Sequence, residues 1–182
     1  MKFIKLLIII SLFLMPFRNF SQTVSATFFN LPQQKIYLNA YTGLYMEVLD
    51  SVMMTHDKRV EFNTPIKKGM YQFETEYGST LDFLYDDSSV KFIVKDFYDL
   101  SSVEFIDSQL NTDWYAYLNF KEKTLKSLDI LKPILREYDE NSEFYMDAKN
   151  EYQLLQDKFI SFTDSLMVHD NYASNLIKVD RF

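Results

Sequence analysis

The chain contains no cysteine, three glycines, four prolines, two histidines and one tryptophan among its 182 residues. Without a thiol it has no nucleophilic cysteine, no zinc ribbon and no dithiol redox pair of its own, so its fold is expected to rest on core burial instead of disulfides. Glycines at positions 43, 69 and 78 alone leave no glycine-rich loop to cradle a phosphate, and nucleotide cofactors are not expected. His56 and His169 are too few for a nitrogen-rich metal site. No stretch gathers a nucleophile, a base and an orienting group. The expectation is a chain that is not an enzyme and takes no cofactor and no metal.

Basic charge is also scarce, with 19 Lys and Arg against 26 Asp and Glu, a net of -7. Of those cations, Lys2, Lys5 and Arg18 lie in the first 22 residues, MKFIKLLIIISLFLMPFRNFSQ, which hold no acid. That stretch has the layout of a secretory signal peptide: positive start, apolar run over residues 6–15, Pro16, and a polar end with cleavage expected near Ser21 or Gln22. The run is shorter than the roughly 20 apolar residues a spanning helix needs. No cysteine follows it for lipid attachment. Loss of these three cations takes the net charge from -7 to -10. Such a chain repels phosphate backbones and anionic membrane surfaces, so no nucleic-acid partner and no membrane span after cleavage are expected. The mature protein is expected to be soluble in the periplasm or cell envelope.

What the sequence has is two hydrophobic periods. Over residues 23–106 the period is near two, as in half-buried strands. Ile36, Leu38 and Ala40 alternate with Tyr37, Asn39 and Tyr41; Val60 and Phe62 with Arg59 and Glu61; Leu81, Phe83 and Tyr85 with Asp82 and Leu84. Breakers separate the runs at residues 30–34, Gly43, 56–58, 65–69, Gly78 and 86–89. After Ile106 the period becomes helical. Asp107 or Ser108 can cap a helix whose stripe is Leu110, Trp114, Tyr117, Leu128, Leu131, Leu135 and Tyr138, with Pro133 expected to kink or divide it. Phe144, Ala148, Tyr152, Leu155, Phe159, Phe162 and Leu166 mark one face of a second helix, and a third covers about 172–179. These readings predict an α+β fold, an antiparallel β-sandwich or meander of seven to eight strands followed by an antiparallel helical hairpin. The organisation expected is a signal peptide over 1–22, a β-rich domain over 23–106, and a hairpin with a short terminal helix packed on it over 107–182, forming one compact unit.

The candidate sites are modest. His56 beside Asp57, with Ser51 five residues back, reads as a solvated turn. Asp86 and Asp87, and Glu137, Asp139, Glu140 and Glu143, lack the alternating acids and central glycine of a calcium loop. Trp114, Tyr115 and Tyr117 could form an interaction surface for a glycan or peptide or could pack as core, and Tyr115, off the stripe, is the member expected to be exposed.

"DSVMMTHDKRVEF" (50–62), "GMYQF" (69–73), "LDFLYDDSSVKFIV" (81–94) and "FIDSQLNTDWYAYLNF" (105–120), in this order, resemble the N-terminal domain of unknown function of Bacteroidetes exported thioredoxin-like thiol-disulfide oxidoreductases. The resemblance covers most of residues 23–178 and places Asp50 and Ser51 at the start of a strand. Arg59 stands where that family often has a turn glycine. In the family a thioredoxin fold with a C-x-x-C pair comes last, and no residue here can take on its redox role. The resemblance therefore implies a non-catalytic module that binds a protein partner or positions a following thioredoxin domain. A stand-alone envelope protein binding a glycan, peptide or apolar ligand is the alternative.

Overall fold

A computed structural model describes residues 23–43 and 45–181, so the expected signal peptide lies outside the described residues. Eight strands come first: β1 (Val24–Phe28), β2 (Lys35–Thr42), β3 (Tyr45–Met53), β4 (Arg59–Phe62), β5 (Gly69–Thr75), β6 (Thr80–Tyr85), β7 (Val90–Val94) and β8 (Val103–Ile106). Three α-helices follow: α1 (Gln109–Glu137), α2 (Glu143–Met167) and α3 (Tyr172–Asp180). The strands form two four-stranded sheets, ordered β4-β1-β7-β8 and β3-β2-β5-β6. All pairings are antiparallel except β1 with β7, which run parallel because β7 returns to the first sheet after the chain has built the second. The α+β architecture expected from the two periods is the one observed.

The alternating residues decide how the sheets meet. Phe73 on β5 lies 5.0–5.9 Å, ring to ring, from Phe83 on its own sheet and from Phe28, Phe62 and Phe92 on the other. All five rings are buried. Burying one such side chain contributes about 1.5–3 kcal/mol, so this aromatic layer supplies cohesion to a chain that has no cysteine for a disulfide.

Local signals correct the expected start of one strand and decide two points at a turn and a proline. Asp50 does not begin a strand: Gly43, at φ 65, opens a hairpin in which Thr42 pairs with Tyr45, and β3 runs from Tyr45 through Asp50 to Met53. Its register shifts where Leu38 faces Asp50 but Asn39 faces Val48, leaving Leu49 as the extra residue of a bulge. In the next turn the residue with left-handed backbone is Lys58, at φ 62, while Arg59 already belongs to β4. Pro133 does not divide the helix, since α1 continues through it to Glu137.

Ser108 caps α1, its hydroxyl accepting from the Asn111 N–H. Of the expected stripe, Leu110, Trp114, Tyr117 and Leu128 are buried and Tyr138 is exposed; Thr124 is buried between them, and Lys121 pairs with Asp180 at 2.7 Å. In α2, Ala148 and Phe159 are buried and Phe144 is exposed at the hairpin tip, edge-on to Tyr138 at 4.9 Å. A capping box of Asn171 and Ser174 starts α3. The N-terminal turns of α1 pack on β6 and β8, closing that side of the sandwich, whereas α2 packs on the other two helices. No helix among the described residues is long and apolar enough to cross a membrane.

Candidate binding face

Helix packing decides the fate of the nominated aromatic surface. Trp114, Tyr115 and Tyr117 are all buried, and Tyr115, expected to be exposed, is 4% exposed. Its hydroxyl donates to the Asp82 carbonyl on β6 at 2.6 Å, and its ring meets Phe105 of β8 edge-on at 4.8 Å. Tyr115 thus ties the edges of the two sheets to the helix. Trp114 stacks on Tyr117 at 5.5 Å, and the Tyr117 hydroxyl donates to Asp180 of α3 at 2.8 Å. Burial pushes both phenols well above the usual tyrosine range, helped at Tyr117 by Asp180. These residues are interior in the described chain, so the interaction surface must be sought elsewhere.

The other sequence candidates remain apart. His56 and Asp57 occupy an exposed turn, and Ser51 is an exposed residue within β3. Glu137, Asp139, Glu140 and Glu143 are exposed at the hairpin connector, distant in sequence and element from Asp86 and Asp87 in the β6–β7 turn. No group of three or more acids or histidines among the described residues is arranged to hold a metal ion.

A pair that the sequence did not suggest lies at the base of the helices. Asp113, buried on α1, accepts from Gln109 Nε2 at 2.7 Å and faces His169 Nδ1 at 2.7 Å. The imidazole is half exposed and follows α2, so this contact fastens the α2–α3 junction to α1. Its two members lie 56 residues apart, and nothing in the spacing announces the contact.

Polar groups converge most densely on the outer face of the β3-β2-β5-β6 sheet. Ile36, Leu38, Phe73, Leu81 and Phe83 point into the core, so Tyr37, Asn39, Tyr41, Gln72, Glu74 and Asp82 share the opposite face. Tyr37 stands opposite Glu74, Asn39 opposite Gln72, and Gln72 opposite Asp82. Gln72 Nε2 donates to Asp82 Oδ1 at 2.7 Å and to the Tyr41 hydroxyl at 3.1 Å, and that hydroxyl donates to Asp82 Oδ1 at 3.0 Å. Asn39 Nδ2 donates to Glu74 Oε2 at 2.7 Å, while Asn39 Oδ1 is buried with no hydrogen-bond partner among the described residues. Burial first, then the Asp82 charge and the bond to it, pushes the Tyr41 phenol up to about 12, so the ring stays neutral at physiological pH. Past Tyr41, on the opposite, core-facing side of the sheet, opens a cleft of about 480 Å³ whose wall includes Ala40, Glu47, Ile66, Lys67 and Tyr71. The alternation of Tyr37, Asn39 and Tyr41 was visible in the sequence, but the pairing of β2 with β5 and of β5 with β6, which brings Gln72, Glu74 and Asp82 beside them, was not. No protein-family model matches the chain, and no curated protein matches it.

Proposed function

We propose that this chain is the non-catalytic N-terminal module of an exported thioredoxin-like protein, serving partner binding or the positioning of a redox domain. The observation that carries this reading is the reach of the helical hairpin. Leu128 and Ala148 are buried, yet both lie outside the main core that the sandwich shares with the near ends of the helices. Beyond Lys121, α1 pairs with α2 along 16 further residues to Glu137, about 24 Å at 1.5 Å per residue. An arm of that length suits a spacer that holds a following domain at a set distance.

The intact mass of the native product from its host's envelope tests this. A species well above the 21.7 kDa precursor and containing a C-x-x-C pair is the expected result. A species slightly below that mass, matching signal removal alone, would overturn it. The second reading, a stand-alone envelope binding protein, would then stand, and the polar face with its unpartnered Asn39 oxygen is the feature that favours it.

A further inference from the structure

We propose that the outer face of the β3-β2-β5-β6 sheet binds an arginine side chain of a basic peptide partner, seated between Tyr37 and Tyr41 against Glu74 and Asp82. The inference deepens the partner-binding reading by naming the partner's chemistry.

The argument begins with a shortage of donors. Both Gln72 Nε2 hydrogens are used, on Tyr41 and Asp82, the Tyr41 hydroxyl hydrogen goes to Asp82, and one Asn39 amide hydrogen goes to Glu74. Asn39 Oδ1, on a residue only 2% exposed, has no donor among the described residues, and the second oxygens of Glu74 and Asp82 add further acceptors. A ligand that completes this face must be rich in donors. It must also be cationic. Glu74 stands opposite Thr80 and Asp82 opposite Gln72, so the two acids are diagonal neighbours on adjacent strands, their Cα atoms about 7–8 Å apart. Neither makes an ion pair with a lysine or arginine among the described residues, Lys35 of the same sheet face included. Two unneutralised carboxylates on a chain of net charge -7 attract a positive charge.

Guanidinium fits both demands, having five N–H donors, no acceptor and a fixed positive charge, and its plane can bridge two carboxylates. Tyr37 and Tyr41 lie four residues apart on one face of β2, about 13 Å along the strand, flanking Asn39. A cation drawn to the carboxylates on this face gains from contact with the ring faces as well. A neutral sugar would also offer hydroxyl donors, but would leave both carboxylate charges uncompensated.

The test is titration of the isotope-labelled full chain with a capped tri-arginine peptide, its tri-citrulline analogue and cellohexaose, following the side-chain amide signals of Asn39 and Gln72. The expected result is that the arginine peptide shifts those signals and the citrulline analogue does not. Glu74→Gln, which keeps an acceptor for Asn39, weakens binding at least tenfold, while Glu140→Gln in the hairpin connector changes it less than twofold. Asp82→Asn, with thermal unfolding recorded alongside, gives a second reading if Glu74→Gln misfolds. Unmoved amide signals, equal losses from Glu74→Gln and Glu140→Gln, or shifts produced by cellohexaose instead of arginine would each overturn the proposal. The positioning role is decided separately, by the native mass.

Discussion

Asn111 matches Leu84 atom for atom: its Oδ1 accepts the Leu84 N–H at 2.7 Å and its Nδ2 donates to the Leu84 carbonyl at 2.8 Å. The side chain does for the free edge of β6 what a neighbouring strand would do, within a fully buried contact. Asn111→Ala leaves both backbone groups unpaired and is expected to cost about 2–3 kcal/mol in urea unfolding. Asn111→Asp keeps the acceptor but turns the donor into a second acceptor against the Leu84 carbonyl, and should destabilise at least as much; an unchanged midpoint for either would refute the edge role. The tyrosines make a different prediction. Tyr41, Tyr115 and Tyr117 have folded pKa values above the unfolded value of about 10, so the folded state keeps their protons longer. Their contribution is fully present below about pH 10 and is lost as pH rises from there, through about 12 for Tyr41. Unfolding stability measured from pH 9 to 12 should therefore fall, and Tyr41→Phe should shallow that fall; a rise over the window would contradict the burial described here. The helical stripe misjudged Tyr115 because it traces contact with another helix. Asn111, Tyr115 and Leu118 lie on the other side of α1, and only tertiary structure reveals that a sheet edge waits there.

At the scale of elements, the strands and helices were legible where pattern and punctuation agreed. Arg59 and Glu61 are exposed while Val60 and Phe62 are buried, and Ser108 and Asn171 cap helices from short polar side chains. Where a strand departs from strict alternation the pattern failed: the bulge at Leu49 hides the first half of β3 from a period-two reading, since one extra residue exchanges the faces. The parallel partnership of β1 and β7 was illegible for another reason, because 61 residues separate the two strands and no local signal encodes that pairing. Pro133 is the remaining misfit. It sits four residues before the end of α1, where its missing N–H forgoes the bond to the Asp129 carbonyl but the helix has few bonds left to lose. Pro133→Ala restores that donor and is expected to stabilise the hairpin by about 1–3 kcal/mol, raising the midpoint of helix melting followed by far-ultraviolet dichroism. A lower midpoint would mean that the ring packs in a way the helix needs.

Across the whole molecule, cohesion is uneven, and this follows from where apolar surface is buried. Phe28, Phe62, Phe73, Phe83 and Phe92 make one continuous core between the sheets, extended through Tyr115, Tyr117 and Phe159 to the near ends of α1, α2 and α3. The far half of the hairpin has Leu128, Thr124 and Ala148 as its buried residues, and Ile130, Tyr138, Phe144, Met146 and Leu154 are exposed along it. Its ion pairs, Lys126 with Glu122, Lys132 with Asp129 and Arg136 with Glu137, are solvent-exposed, and each such pair contributes at most about 1 kcal/mol. A two-helix segment with so little buried area should open locally at a lower free energy than the sandwich. Native-state hydrogen exchange is expected to show the amides of residues 125–150 exchanging at least tenfold faster than those of β2, β5 and the first three turns of α1. The contrast bears on the proposed positioning role. Under that proposal the arm needs helical order along its length but not the stability of the core, and a domain docking on it should slow exchange in the arm first. Uniform protection of arm and sandwich in the isolated chain would instead make the hairpin an integral part of one cooperative unit, with no reserve of flexibility for a partner to draw upon.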